Sequence, residues 1–128
     1  EGDRTPIPNV DVQAIIEQVS KEKNINRAEY DDKEIIKRAL YPLVNIGAQI
    51  LDEGMAMRSS DIDIIYINGY GFPAYKGGPM HWADSIGLDK VLADIQRFHA
   101  AYGERWRPAP LLEKLVEEGK SFADLQAG

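Results

Sequence analysis

The chain has 128 residues, 44% apolar and 28% charged, a balance typical of one globular domain with its own core. Its formal net charge of −6 disfavours binding to nucleic acid, and its lack of cysteine excludes disulfides, thiolate metal sites and cysteine nucleophiles. We predict no membrane span, because no apolar run approaches the roughly 20 residues that a spanning helix needs.

The chain begins with a predicted linker, which is followed by a predicted first helix. Residues 1–8 are rich in glycine and proline, so we expect an entry segment there and a single helical domain over residues 9–128. Asn9 and Asp11 are both candidate caps for the first helix. Its apolar residues recur at helical spacing and are Val12, Ile15, Ile16 and Val19.

A second, longer helix is predicted from the start signal of Asp31 and Glu34 to the terminator Gly54. Pro42 lies inside it and predicts a kink, since an internal proline costs about 3 kcal/mol. The residues predicted to face inward are Ile35, Ile36, Ala39, Leu40, Leu43, Gly47, Ile50 and Leu51. The residues predicted to lie on the opposite side are Lys37, Tyr41, Asn45, Gln49 and Asp52.

Residues 59–67 fit either a strand, by their alternation, or a helix with Ser60 and Asp63 at its start. We predict a helix, because a lone strand has no partner with which to form a sheet. Asp61 and Asp63 resemble a metal-binding pair, but their carboxylates would point about 200° apart on a helix. We therefore expect a capping residue and a solvated acid instead.

The remaining elements are a loop over residues 68–79 and three helical segments. A short helical turn is predicted from Pro79 through Trp82, a helix from Leu88 to Tyr102, and a last helix from Pro110 to Glu118. These elements predict an all-α fold, a single compact domain of about five helices around one core.

The loop from Gly69 to Pro79 contains G-x-G-x-x-A, the outline of a dinucleotide-binding fingerprint. That site requires a helix that begins at the glycines, and Pro79 follows too soon for one, so we predict no nucleotide binding. Lys76 beside Gly77 could hold a phosphate together with loop amides. The alternative that we favour is a tight turn with Lys76 in solvent.

Other candidate residues are assigned structural roles. We expect His99 at the edge of the core and His81 without a partner nearby in sequence, and we interpret Trp106 as half-buried between two surface arginines, Arg105 and Arg107. The tyrosines expected to supply core area with a polar tip at the rim are Tyr41, Tyr66, Tyr70 and Tyr75. We predict no catalytic, cofactor-binding or metal-ligating residue in this chain.

Residues 38–45, RALYPLVN, resemble the opening helix of the C-terminal repeat in 3-hydroxyacyl-CoA dehydrogenases. Residues 50–54 and 60–63, the glycine- and proline-rich loop of residues 68–80, and the tail of residues 106–112 are also similar to that family. The resemblance covers roughly residues 30–125, and the loop is its most specific part.

The resemblance implies a place in a multifunctional enzyme with an enoyl-CoA hydratase part, an NAD-binding domain and two helical repeats. In such enzymes the hydride chemistry uses a His–Glu pair of the NAD-binding domain and an Asn of the first repeat. This chain looks like the second repeat, which packs against the other domains and shapes the acyl-CoA site. Lys37 occupies the position of the catalytic Asn, and Ile46 stands where Glu is expected.

The resemblance therefore implies that the chain alone is inactive, with NAD bound elsewhere in the parent enzyme. Its expected partners are the upstream NAD-binding and hydratase domains and the acyl-CoA substrate, and a homodimer is possible. A free-standing helical dimerisation or ligand-binding module and a small complete enzyme are the alternatives. The sequence ends in Gln126-Ala127-Gly128 and not in a Ser-Lys-Leu address, so we expect a bacterial cytoplasm rather than a peroxisome.

Overall fold

The computed structural model describes residues 7–125 and contains no strand within that range. The predicted all-α class is therefore confirmed. The chain forms two compact units, Glu1–Asp31 and Asp32–Gly128, and each is described by itself. Most of the predicted linker of residues 1–8 lies outside the described residues, and the domain boundary at residue 9 stays a prediction.

The first unit contains one helix, α1 (Val10–Glu22). Of the two candidate caps, Asn9 is the one that caps α1: its side-chain oxygen accepts the backbone N–H of Asp11 at 2.8 Å and that of Val12 at 3.4 Å. No residue of α1 is buried. The start of the helix is therefore determined by a local cap. Its apolar side chains are exposed, and they are Val12, Ile15, Ile16 and Val19.

The second unit contains the other five of the six α-helices that the structure describes. They are α2 (Asp32–Asp52), α3 (Ser59–Gly69), α4 (Pro79–Ile86), α5 (Leu88–Tyr102) and α6 (Pro110–Glu118). Three short 3₁₀ turns lie at Ala74–Lys76, Glu104–Trp106 and Phe122–Asp124. The short turn predicted at Pro79 is a full helix. Proline suits its first position, because a residue there makes no N–H hydrogen bond within the helix and the N–H that proline lacks is not needed.

Left-handed glycines end two of these helices. Gly54 has a φ of 70°, and the bonds from Gly54 N–H to the Leu51 carbonyl and from Met55 N–H to the Ile50 carbonyl close α2. Gly119, with a φ of 65°, closes α6 in the same way. Both predicted termini are confirmed.

The helical interpretation of residues 59–67 is confirmed by α3, although its start differs from the prediction. Asp61, not Asp63, caps this helix: its carboxylate accepts the backbone N–H of Arg58 at 3.1 Å. The Arg58 guanidinium also donates to Asp61 at 2.8 Å. The N-cap residue is therefore Arg58, two residues before the predicted start at Ser60, and Asp61 has the role that was predicted for Asp63.

The core of the second unit lies where α2, α4, α5 and α6 meet, and α3 packs against α4. Gly47 permits the close approach of α2 to α4, because a Cβ there would lie 2.5 Å from the Met80 sulfur. The largest of the fully buried side chains are Val44, Pro79, Met80, Val91, Ile95, Phe98, Leu112, Leu115 and Phe122. Burying each large apolar side chain contributes about 1.5–3 kcal/mol.

The predicted orientation of α2 is wrong for much of its length. Tyr41 and Asn45, expected on the solvent side, are 2% and 6% exposed, whereas Ile35 and Ile36, expected inside, are 52% and 48% exposed. Gly47 is buried as predicted. Ile50 and Leu51 pack against the core, and Gln49 and Asp52 are exposed, also as predicted. Asn45 is the polar residue that is buried, and its hydrogen bonds remove the usual penalty for burying it.

Candidate functional site

The loop between α3 and α4 does not have the geometry of a dinucleotide site. It leads from the end of α3 through the 3₁₀ turn Ala74–Lys76 to Pro79, so residues 69–79 follow a helix and not a strand. No helix begins at Gly69 or Gly71. The helix N-terminus that would face a pyrophosphate is therefore displaced to Pro79.

A carboxylate of the protein itself occupies the N-terminus of α4. Asp63 accepts the backbone N–H of Met80 at 2.7 Å and that of His81 at 3.2 Å. Its side chain is buried, which raises the pKa of Asp63, while the two N–H donors oppose that rise. The prediction of a solvated acid is thus wrong for Asp63, and the Met80 and His81 amides at the start of α4 are already bonded.

Lys76 is half-buried, and its prediction as a fully solvated side chain is wrong. Its ammonium lies 5.5 Å from the ring centre of Tyr75 and 5.8 Å from that of Trp82, within the range of cation–π attraction. Tyr75 and Tyr70 are strongly exposed, contrary to the predicted role in the core. Tyr66 is half-buried, as predicted. Tyr41 is buried, which agrees with the core role predicted for the tyrosines and not with its predicted place on the outer side of α2.

A second carboxylate, Asp84 on α4, holds the turn at Phe122–Asp124. It accepts the backbone N–H of Phe122 at 2.9 Å and that of Ala123 at 3.0 Å, and burial raises the pKa of Asp84. A cleft of about 340 Å³ beside it is lined by Arg58, Ser59, Ser60, Asp63, His81, Asp84, Ala123 and Leu125. Both carboxylates accept backbone N–H groups and so connect neighbouring segments of the chain.

His99 lies half-buried at the edge of the core, as predicted, with Nε2 3.2 Å from the Glu104 carboxylate. Trp106 is more buried than predicted, at 7% exposed, while Arg105 and Arg107 are exposed. Arg107 pairs with Glu104 at 2.6 Å. The Glu104 carboxylate is therefore shared between a histidine and an arginine.

Lys37, at the position of the expected catalytic Asn, joins α2 to α5. Its ammonium lies 2.7 Å from the Asp94 carboxylate, and this pairing raises the pKa of Lys37. Asp94 also bonds Arg97, and Arg97 bonds Glu34 at 2.8 Å. Lys37 is thus one member of an ion-pair network between two helices.

Asn45 is a buried residue that sequence reasoning misplaced on the solvent side. Its amide donates to the Arg107 carbonyl at 2.8 Å and accepts the Ala109 N–H at 2.8 Å, which fastens α2 to the segment before α6. The spacing of Tyr41, Val44, Asn45 and Ala48 is helical and contains a single strong polar residue. That spacing was the available signal for a second inward face.

The face of α2 opposite Tyr41 forms an apolar strip, here called the outer stripe. Its members fall within an arc of about 100° and span about 16 Å along the helix. Ile35, Ile36 and Ile46 are each about half exposed, at 52%, 48% and 50%. The outer stripe comprises Ile35, Ile36, Ala39, Leu43 and Ile46. A surface of this kind is typical of a helix that packs against another protein surface.

Comparison with known proteins places these features in a family context. The profile of "3-hydroxyacyl-CoA dehydrogenase, C-terminal domain" matches residues 35–126. The chain is 39% identical to the peroxisomal bifunctional enzyme of Danio rerio over 120 residues, which cover 92% of this chain and 17% of that protein.

Two plant proteins show the same partial coverage. The peroxisomal fatty acid beta-oxidation multifunctional protein AIM1 of Arabidopsis thaliana is 35% identical, covering 93% of this chain and 17% of that protein. The glyoxysomal fatty acid beta-oxidation multifunctional protein MFP-a of Brassica napus is 41% identical, covering 75% and 13%. The chain thus spans about a sixth of the length of these relatives.

These names correct one expectation from the sequence. The bacterial cytoplasm was the preferred location, and it is contradicted by relatives that are named peroxisomal or glyoxysomal. The last three residues, on which that preference partly rested, lie outside the described residues. None of the helices that the structure describes is both long and apolar enough to cross a membrane.

Proposed function

Because the chain belongs to the family of 3-hydroxyacyl-CoA dehydrogenase C-terminal domains, we propose that it is the non-catalytic helical domain of a longer fatty-acid β-oxidation enzyme. The parent enzyme would oxidise 3-hydroxyacyl-CoA with NAD, and upstream NAD-binding and hydratase domains would supply the chemistry. This chain would contribute packing area and one wall near the acyl-CoA site.

The outer stripe is the observation that carries the proposal. A helix that serves only its own unit places its apolar residues toward the core and its polar residues toward water. In α2 several apolar residues are instead half exposed on the far side. Because the relatives extend far beyond the matched region, their remaining polypeptide is the partner that we propose for this face.

The surroundings of Lys37 support a non-catalytic role. An ammonium cannot accept a hydrogen bond as the amide oxygen of an Asn does, and here it is bound to Asp94 at 2.7 Å. The N-terminus of α4 is likewise occupied by Asp63. The printed names of the relatives support a peroxisomal or glyoxysomal location for the parent enzyme.

Self-association of the isolated 128-residue chain tests the use of the outer stripe. We expect concentration-dependent dimers in sedimentation velocity. In the absence of the proposed partner, the outer stripes of two chains would pack against each other and so bury their apolar side chains. Ile46→Glu should weaken association at least ten-fold with little change in melting temperature, since half of this side chain is already in water. Ile64→Glu, at a residue on α3 that is 58% exposed, is the matched control and should leave association intact.

A wild-type chain that stays monomeric at millimolar concentration would count against the packing role. Turnover is the second test: the pure chain should neither oxidise 3-hydroxyacyl-CoA nor reduce NAD, and measurable activity would overturn the proposal.

The reading frame upstream of Glu1 separates the alternatives. A nucleotide-binding pattern there supports a domain of a larger enzyme, whereas a start codon near Glu1 favours a free-standing module.

A further inference from the structure

A cleft of about 350 Å³ lies on the second unit, away from the loop between α3 and α4. It is lined by Arg38 and Pro42 of α2 and by Arg105 and Trp106 of the 3₁₀ turn that follows α5. Two arginines and a tryptophan therefore line one opening. All three groups donate hydrogen bonds, and the guanidinium and indole groups have no acceptor atoms to offer one another.

Arg105 is the cation of this cleft that remains available. It has no hydrogen bond or ion pair with any residue in the range 7–125 that the structure describes, and its side chain is exposed. The nearest acid in sequence, Glu104, is engaged by His99 at 3.2 Å and by Arg107 at 2.6 Å. Arg38 is already bonded to Glu34 and to the Tyr102 hydroxyl. Its contribution to the cleft is therefore a nearby positive charge rather than the main hydrogen bonds to a ligand.

Trp106 supplies an independent indication of a missing acceptor. The residue is only 7% exposed, and its indole Nε1 has no hydrogen-bond partner among the described residues. A buried donor without an acceptor is unfavourable, and most buried donors in proteins are hydrogen-bonded, so this one indicates a site where an acceptor can bind. Because Nε1 is enclosed, an acceptor must enter with movement of a neighbour, and the exposed Arg105 side chain can move without losing a bond.

We propose that this cleft binds an oxyanion, the carboxylate or phosphate head of a ligand, between the Arg105 guanidinium and the Trp106 indole N–H. An anion with only acceptor oxygens complements donors that lack acceptors. Arginine is suited to such a ligand because its planar fork can donate two parallel hydrogen bonds to one oxyanion. Attraction by the whole protein cannot supply this binding, since the net charge is −6.

The test follows the two indole N–H signals of the 128-residue chain by ¹H–¹⁵N correlation spectroscopy. The chain has two tryptophans, and Trp82→Phe identifies the signal of Trp106. Sodium phosphate and sodium acetate are titrated separately, with sodium chloride at equal ionic strength as the reference. We expect a saturable downfield shift of the Trp106 signal with phosphate or acetate but not with chloride.

Variants on either side of Trp106 locate the binding charge. Arg105→Gln should weaken oxyanion affinity at least five-fold, as expected for the loss of a charge-assisted hydrogen bond. Arg107→Gln is the matched control and should change affinity less than two-fold, because Arg107 pairs with Glu104 and does not line the cleft. A shift with one anion alone still supports the proposal and identifies the head group. No saturable shift, or equal binding in Arg105→Gln, overturns it.

Discussion

Asn45 shows how one amide can decide which face of a helix turns inward. It satisfies a carbonyl and an N–H of the chain that precedes α6, both at 2.8 Å. Without this amide, the buried Ala109 N–H would have neither water nor a protein acceptor. The tertiary role of Asn45 is therefore to supply an acceptor where the backbone has none.

Asn45→Ala should lower the free energy of unfolding by about 3 kcal/mol, because it removes two hydrogen bonds and leaves a cavity. The measurement is urea denaturation followed by far-UV circular dichroism. Gln49→Ala, at an exposed position on the same helix, is the control and should change stability by less than about 0.5 kcal/mol. Equal effects of the two variants would contradict the buried role of Asn45.

At the scale of elements, the start of α4 depends on a close approach between two helices. Gly78 has a φ of 97° and a ψ of 170°, a conformation that is nearly restricted to glycine. A Cβ at this position would lie 2.4 Å from the Asp63 Cβ and Oδ1 atoms. The glycine thus permits both the backbone turn and the close approach of the Asp63 carboxylate that caps α4.

Gly78→Ala should destabilise the chain by about 3 kcal/mol or more, since it adds a steric clash with a buried, bonded side chain to backbone strain. Gly71→Ala is the matched control, because Gly71 also has a positive φ, 71°, but has no atom within 4 Å of an added Cβ. We expect a cost of about 1 kcal/mol there. Thermal melts of both variants measure the two losses of stability. Similar losses would show that the contact with Asp63 does not cause the larger loss expected for Gly78→Ala.

The ion-pair network between α2 and α5 operates at the same scale. Hydrogen bonds from Arg97 and Arg38 lower the pKa of Glu34, and Asp94 raises the pKa of Lys37. These residues are partly open to water, so each pair contributes little by itself. Their combined effect is to fix the alignment of the two helices beside the core.

For the molecule as a whole, stability at acid pH reflects two opposing sets of carboxylates. Folding lowers the pKa of Asp61 through its bonds to Arg58, so the stabilisation from Asp61 is lost as pH falls through its folded pKa. Folding raises the pKa of Asp63 and Asp84 through burial. Their contribution is complete below the ordinary value of 3.8 and declines as pH rises through their folded pKa.

Asp63→Asn should therefore steepen the loss of stability on acidification at pH values above the ordinary Asp pKa of 3.8, because the variant lacks the group that favours folding as protons bind. Its stability at pH 7 should also fall by about 1–3 kcal/mol, since an amide cannot accept both N–H groups equally well. Unfolding free energies measured by urea denaturation across this pH range provide the test.

Asp61→Asn is the control on the same helix, and its effect has the opposite sign. It should make the chain less sensitive to acid, with the difference concentrated below about pH 4, where Asp61 takes up its proton. If the two variants changed the pH dependence of stability in the same direction, burial would not be the dominant influence on the pKa of Asp63.

The sequence by itself determined the helical class, most helix boundaries and the family resemblance. These depend on local features that are readable in a linear chain: Asn9 as a cap, Pro79 at a first turn, Gly54 and Gly119 at ends, and apolar spacing in α5 and α6. The predicted start of α3 was wrong, because Asp61 bonds the backbone N–H of Arg58, which lies before the predicted Ser60 start.

Only the tertiary structure decided which face of α2 is buried and what Asp63, Lys37 and Asn45 do. In the first part of α2, Ile35 and Ile36 lie on one side while Tyr41 and Asn45 lie on the other, so periodicity alone favoured the wrong side there. The partners that reverse this choice lie 57 to 64 residues away along the chain, at Asp94, Arg107 and Ala109. Burial of a polar face depends on those distant groups, because only a hydrogen bond or ion pair offsets the loss of water.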